Sequence, residues 1–229
     1  MTGEPLAEIA IYDMDRTITR TGTYTPFLIH AALARAPWRL LFLPAVLATM
    51  LGYVLKLMTR ARLKEINQHL LLGKHIAPAE LAPLTASFAE RTYRLNTLPG
   101  ALKQIEEDRA AGRRLVLATA SYRLYVEAIA DRLGFDDVIA TNSIIGIDAR
   151  VTAKIDGENC YGPAKLRMIE AWFAAQGIDR VTTRVRFYSD HVSDAPVMEW
   201  ADKPFAANPS PKMRAMAAKR GWPVVEWVT

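Results

Sequence analysis

The sequence predicts an α/β fold. Its core is a Rossmann-like, doubly wound parallel sheet over residues 1–20 and 97–229, and an inserted α-helical cap occupies residues 21–96. Three observations carry this. Short apolar runs of strand length alternate with helical patterns through the second half of the chain. The first such run stands apart from the next across a stretch with helical patterns and no clear strand. Unusual polar residues fall where the apolar runs end, and sheets of this class bind ligands at the C-terminal ends of their strands.

Ile9–Tyr12 reads as a buried parallel strand ending at Asp13. Residues 21–96 read as a run of helices between the first and second strands. Pro99-Gly100 opens a helix that ends near Gly112. Leu115–Ala118 is the second strand. Val126, Ile129, Ala130 and Leu133 recur at helical spacing, and Gly134 stops that helix. Val138–Ala140 is the third strand. Residues 143–160 alternate loosely and suggest a small antiparallel excursion, with Asp156-Gly157 as a turn signal. A helix spans about Pro163 to Gln176, with Leu166, Ile169 and Phe173 on one face. Val185–Tyr188 is the fourth strand. Lys203–Ala207 and Val224–Trp227 are weaker strand candidates around a helix near Lys212–Arg220.

The 229 residues suffice for one domain with an insertion, or for two small domains. Apolar residues make up 51% and charged residues 23%, the balance of a globular protein. The single cysteine, Cys160, excludes an intrachain disulfide and fits a reducing, cytoplasmic compartment. Met1–Ala7 is polar and carries no signal-peptide pattern. The net charge of +5 suits anionic substrates or an anionic membrane surface, and equally an ordinary surface of Lys and Arg. No zinc-ligand spacing, nucleic-acid motif or internal repeat is present, so no nucleic-acid partner is expected.

Asp13 and Asp15 follow the first strand, Thr119 the second, and Asp190 and Asp194 the fourth; Lys165 opens the helix before the fourth. A parallel sheet brings these points to one edge. Four carboxylates and one lysine leave a net charge near −3, and like charges at close range repel. A divalent cation with oxygen ligands removes the problem, and Mg²⁺ suits one or two carboxylates, waters and phosphate oxygens. The same ion offsets repulsion between an anionic phosphate and an anionic nucleophile.

Asp13-Met14-Asp15-Arg16-Thr17 resembles the D-x-D-x-T signature of the haloacid dehalogenase superfamily of phosphatases. Thr119, within Leu117-Ala118-Thr119-Ala120-Ser121, resembles the second motif of that family, and Lys165 within Gly162-Pro163-Ala164-Lys165 the third. Ser189-Asp190-His191-Val192-Ser193-Asp194, with its D-x-x-x-D spacing, resembles the fourth. All four occur in the family's order over residues 9–198. The segment lengths, with the cap between the first two motifs, are similar to the phosphoserine phosphatase-like branch, subfamily IB.

The resemblance implies roles. Asp13 would attack phosphorus to form an aspartyl-phosphate, and Asp15 would act as general acid and then base. Mg²⁺ would be held by Asp13, Asp190 and the backbone carbonyl of Asp15. Thr119 would hydrogen-bond a phosphoryl oxygen, and Lys165 would neutralise charge there. Asp194 would position Lys165 or a metal-bound water. Ala120 and Ser121 are candidate phosphate-binding residues; Ser121 either offers its backbone N–H or caps the following helix. Thr17 reads as a brace for its loop, His191 as structural or substrate-facing, and Cys160 as buried. His30, His69 and His75 show no metal spacing.

The cap should decide the substrate. Leu40–Leu55 is sixteen residues without a charge, with Arg35 and Arg39 before it and Lys56, Arg60, Arg62 and Lys64 after it. It is short for a spanning helix, and Pro44 and Gly52 weaken it further. Three readings stay open: burial between cap helices, a homodimer interface, or peripheral contact of residues 38–58 with the inner face of a membrane. An apolar cap flanked by basic residues resembles bacterial phosphatidylglycerophosphate phosphatases of the same branch, which implies a phospholipid phosphate or another phosphomonoester with an apolar part. Small phosphomonoesters of the phosphoserine or histidinol-phosphate kind are the alternative. Phosphoserine phosphatases carry a glutamate nine residues after the nucleophile; Gly22 stands there, and no carboxylate lies between Asp15 and Glu65. Arg62 is the candidate for a cap arginine that binds substrate, and Arg16 points toward the cap as a second contact. A non-catalytic, membrane-associated binding protein on the same scaffold is the reading from a different class, and four intact motifs argue against it.

Overall fold

The structure, a computed structural model, describes residues 7–227. The polar segment Met1–Leu6 lies outside the described residues. In chain order the elements are β1 (Ala7–Tyr12), α1 (Tyr24–Arg35), α2 (Leu43–Val54), α3 (Arg60–Leu71), β2 (His75–Ile76), α4 (Pro78–Leu95), α5 (Pro99–Ala110), β3 (Arg114–Tyr122) and α6 (Arg123–Leu133). There follow β4 (Asp137–Ile145), β5 (Val151–Asp156), α7 (Pro163–Ala175), β6 (Thr183–Ser189), α8 (Ala195–Trp200), β7 (Lys203–Ala207), α9 (Pro211–Arg220) and β8 (Val224–Val225).

The sheet runs β2-β5-β4-β3-β1-β6-β7-β8. The pairs from β4 to β8 are parallel. From β1 the chain builds outward through β3 and β4, then crosses to β6 on the other side, so strand order reverses beside β1. A crevice forms at such a switch point, outside the strand C-termini. Side chains of β1 alternate between two cores: Ala10 and Tyr12 join one, Ile9 and Ile11 the other. A sheet covered on both faces requires strands that are apolar at successive positions, as these are. Gly134 ends α6 in the left-handed conformation, at φ 74°, which a residue without Cβ adopts freely.

Two details differ from the sequence expectation. The excursion after β4 is an antiparallel hairpin, but it turns within residues 146–150 rather than at Asp156-Gly157, where β5 ends. The stretch 21–96 contains one short strand, β2, which pairs antiparallel with β5 and extends the sheet. It carries too few residues for a periodic signal.

The helical insertion leaves and re-enters the core through two adjacent segments. Thr19 bridges Thr97 antiparallel, the Arg20 N–H donates to the Asn96 carbonyl at 2.7 Å, and the Leu98 N–H donates to the Ile18 carbonyl at 2.9 Å. Phe27 of α1 stacks on Tyr125 of α6 with ring centres 4.5 Å apart, and Phe88 of α4 meets the same ring edge-on at 5.8 Å. Lys64 of α3 is buried and reaches across to the core, donating to the Ala120 carbonyl (2.6 Å) and to Asn159 Oδ1 (2.7 Å), over the ring of Tyr122. Burial pulls its pKa down to about 7, aided by Arg60.

The apolar stretch before α3 is not buried. Within Pro37–Val54 only 11% of residues are buried, and in α2 these are Val46 and Gly52. Leu41, Leu47, Leu51, Val54, Leu55 and Leu57 are all exposed. Burial between cap helices, one of the three readings, is therefore excluded.

Candidate active site

β1 and β6 lie side by side, with Tyr12 opposite Tyr188, so the residues that follow them arrive at the same edge. The Asp13 N–H donates to the Tyr188 carbonyl at 2.9 Å. The chain then turns sharply through Met14–Ile18, with Arg16 at φ 66°. This turn buries Thr17, whose hydroxyl lies 3.3 Å from Asp13 Oδ2 and 3.4 Å from Asp190 Oδ1 and accepts the Asp190 N–H at 3.0 Å. One hydroxyl therefore reaches both carboxylates, and Thr17 acts as a brace. The turn is held from behind by Asn208, which donates to the Thr17 carbonyl at 3.1 Å.

Lys165, at the start of α7, is buried. Its ammonium donates to Asp13 Oδ1 at 2.8 Å and to Asp194 Oδ2 at 2.7 Å. The Ser189 hydroxyl donates to the same Asp194 oxygen at 2.7 Å. The other oxygen, Asp194 Oδ1, is buried without a hydrogen-bond partner. Asp15 is gripped on both oxygens: Thr23 donates its N–H and hydroxyl to Oδ1, each at 2.8 Å, and the Ser121 hydroxyl donates to Oδ2 at 2.8 Å.

The electrostatics follow from burial. Desolvation raises the Asp13 pKa against the pull of Lys165, with Asp194 adding to the rise, and the result is about 6. Desolvation and the charges of Asp13 and Asp194 push Asp190 to about 7. Burial alone would lower Lys165, but Asp13 and Asp194 hold it above the ordinary lysine value. Burial lowers the His191 pKa, although Asp194 pulls the other way.

A cleft of about 380 Å³ opens over these groups. Asp13, Asp15, Arg16, Thr119, Ala120, Lys165, Asp190 and Asp194 all line it. Two predicted residues stand elsewhere. Arg62 pairs with Glu65 at 3.3 Å and lines a different cavity. Arg60 lines the cleft in its place, its guanidinium 4.4 Å from the ring centre of Tyr161. Two positions along a helix rotate a side chain by about 200°, so only one of the two arginines can face the site. Ser121 neither offers a free N–H nor caps α6. Its N–H donates to Thr119 Oγ1 at 3.1 Å, its hydroxyl belongs to Asp15, and Tyr122 holds the capping position. His191 lines the cleft, and its Nδ1 accepts the Ser193 N–H at 3.2 Å. Cys160 is buried, with its pKa pushed up to about 12 by desolvation.

Sequence reasoning missed Thr23, Ser189, Asn208 and Tyr161. Arg60 begins α3, one turn before the buried Lys64 that reaches the core, and so shares the side of the helix that faces the site.

Among the described residues no group of three or more His, Cys, Asp or Glu side chains is arranged to hold a metal ion. A site built from two carboxylates, one backbone carbonyl and waters falls below that count, and Mg²⁺ ordinarily keeps several waters. The residues present fit such an ion. Asp13 and Asp190 are near enough to share one hydroxyl contact, all the donors are oxygen, and the buried Asp194 Oδ1 has no donor of its own, a need that a coordinated water would meet.

The model of haloacid dehalogenase-like hydrolases matches residues 10–199. Protein CicA of Caulobacter vibrioides is 30% identical over 206 residues, 89% of this chain and 88% of that protein. The Inhibition of morphological differentiation protein of Streptomyces azureus is 37% identical over 123 residues, 54% of this chain; that match spans 43% of its own length. Among solved structures, a protein of unknown function from Bordetella pertussis superposes with a TM-score of 0.87 at 28% identity, covering 96% of this chain and 98% of that one. A phosphoserine phosphatase described as a phospho-aspartyl intermediate analogue superposes with a TM-score of 0.60 at 17% identity, covering 96% and 92%. The chain belongs to the haloacid dehalogenase-like hydrolases and has the architecture of that family's phosphatases.

Proposed function

We propose that this hydrolase is a Mg²⁺-dependent phosphomonoesterase that works through an aspartyl-phosphate on Asp13. The observation that carries this is the Lys165 ammonium wedged between Asp13 and Asp194, with Asp190 beside them. It keeps a buried carboxylate ionised at the floor of an open cleft. A carboxylate oxygen of Asp13 forms the new bond to phosphorus as the ester P–O bond breaks. Asp15, held by Thr23 and Ser121, serves as the general acid that delivers a proton to the leaving oxygen. As a carboxylate, Asp15 then takes a proton from the water that attacks phosphorus and releases Asp13. Lys165 neutralises charge on the phosphoryl group, and the Thr119 hydroxyl donates a hydrogen bond to a phosphoryl oxygen. Mg²⁺, held by Asp13, Asp190 and the Asp15 carbonyl, would offset the repulsion between phosphate and nucleophile. The phospho-aspartyl analogue reported for a phosphoserine phosphatase of the same fold supports this reading.

The cleft favours a substrate with a second anionic group and an apolar remainder. Arg16 and Arg60 line it and neither is paired with a carboxylate among the described residues, while Tyr24, Pro26 and Tyr161 supply apolar surface. A phospholipid phosphate, whose phosphodiester lies near its phosphomonoester, meets both demands. Gly22 also lines the cleft and brings no carboxylate for an amino group, which disfavours phosphoserine.

The test is phosphate release from p-nitrophenyl phosphate with and without Mg²⁺, in wild type, Asp13→Ala and Asp13→Asn, the last checked by mass for deamidation. Both variants should lose at least a thousandfold in kcat, and hydroxylamine should trap an acyl-phosphate in wild type only. Asp13→Ala retaining a tenth of wild-type turnover would falsify the proposal.

A further inference from the structure

We propose that the cap docks on an anionic membrane surface through α2 and the segments flanking it. The inference rests on exposure and charge rather than on the substrate reading, and it stands if that reading fails.

Pro37–Phe42 forms a short 3₁₀ turn that leads directly into α2, and Leu55–Met58 follow before α3. Leu41 is 80% exposed, Val54 72% and Leu57 76%. Leu47 and Leu51 are exposed one turn apart on the same side of α2. Contiguous apolar surface of this kind marks an interaction site.

By length and composition Pro37–Val54 could cross a membrane, but its contacts keep it on the cap. Val46 packs into the core cluster, and the Thr49 hydroxyl donates to Asn67 of α3 at 2.6 Å. A helix tied down along one face and bare along the other lies in an interface plane.

Charge selects the occupant. No Asp or Glu lies between Asp15 and Glu65 in the sequence, and Arg39, Lys56 and Arg60 bracket the apolar segment, none in an ion pair among the described residues; Arg35 beside them is already paired with Glu80 at 2.6 Å. Lys56 is exposed and in no ion pair among the described residues. In a two-fold dimer the same patch faces itself, which would set these cations against their own copies at a cost. Anionic headgroups neutralise them. Docking would also bring the cleft to the headgroups, because Arg60, which lines it, is three residues from exposed Leu57, at most about 11 Å along the chain.

The test is sedimentation of the full chain with vesicles of phosphatidylcholine alone or with phosphatidylglycerol, neither containing a phosphomonoester lipid. Wild type should bind the anionic vesicles at least tenfold more tightly than the neutral ones, and high salt should reverse this. Leu47→Gln/Leu51→Gln should lose at least tenfold in binding while keeping the thermal midpoint and turnover of p-nitrophenyl phosphate. Val54→Thr/Leu57→Gln, placed beyond the main packing of α2, should behave the same way if the first pair unfolds the cap. No binding by wild type, or binding unchanged in variants that remain folded, overturns the proposal. So does light scattering that shows a dimer dissociated by the same substitutions. Vesicle binding without hydrolysis of any lipid phosphate would sink only the substrate reading.

Discussion

Replacing Lys165 by Met keeps the side-chain volume and deletes the one cation inside the acidic cluster. At an effective dielectric of about 20, a unit charge pair at 2.8 Å attracts by about 6 kcal/mol, and Lys165 makes two such contacts, with Asp13 and Asp194. Much of that attraction is offset by desolvation, so the net worth of the triad is far smaller than the Coulomb figure. Removing one member of a buried pair nevertheless costs about 3–5 kcal/mol, because the stranded charges stay buried. For a chain of this size each kcal/mol moves the midpoint by roughly 2–4 °C, so a fall of roughly 6–20 °C is expected. Thermal unfolding by circular dichroism at pH 7.5, with EDTA, measures it. Lys165→Met/Asp194→Asn should recover part of the loss, since one stranded carboxylate is then neutral. A single variant that melts within about 2 °C of wild type, or a double variant no better than the single, would refute the reasoning that the cluster is held together by charge.

The pH dependence has a definite sign. Asp13 and Asp190 have folded pKa values of about 6 and about 7, raised mainly by burial. Between about pH 4 and pH 7 the folded state therefore holds protons that the unfolded chain has released. Their contribution to stability is complete below about pH 4 and is lost as the pH rises through 7. The midpoint in EDTA should fall from pH 5 to pH 8, and saturating Mg²⁺ should raise it more at pH 8 than at pH 5; a Mg²⁺ effect independent of pH would contradict the assignment. Arg60→Ala should raise KM by about 10–100-fold for a phosphomonoester with a second anionic group, the worth of one charged hydrogen bond. KM for p-nitrophenyl phosphate should barely change, and an equal rise for both esters would place Arg60 outside substrate recognition.

Much of the core was legible because its strands are buried on both faces. Leu115–Ala118 and Val185–Tyr188 carry apolar runs with no competing helical period, and each sits inside an observed strand. Asp13, Thr119, Lys165, Asp190 and Asp194 were legible as a group because they follow the apolar runs or open a helix at one edge of the sheet. The roles of neighbours depended on side-chain direction, which spacing does not specify. Ser121 could be placed near Asp15 but not oriented toward it. Arg60 and Arg62 are equally basic and two positions apart, and only the phase of α3 separates them. The fate of the Leu40–Leu55 segment depended on what packs over it, and an apolar run reads the same whether it is covered or bare.

The paired crossing at Thr19 and Thr97 makes the insertion exchangeable in principle. Both cuts of a transplant would fall within one small bridge, so a foreign helical module could be spliced in without stretching β1 or β3. Lys64 sets the compatibility condition for such a chimera. Its ammonium travels with the donor module, while the Ala120 carbonyl and Asn159 stay with the recipient. A module without a cation at that point would leave the single Thr141 hydroxyl to serve both oxygens, so exchange of specificity at this neck favours a matching lysine or the simultaneous loss of Asn159.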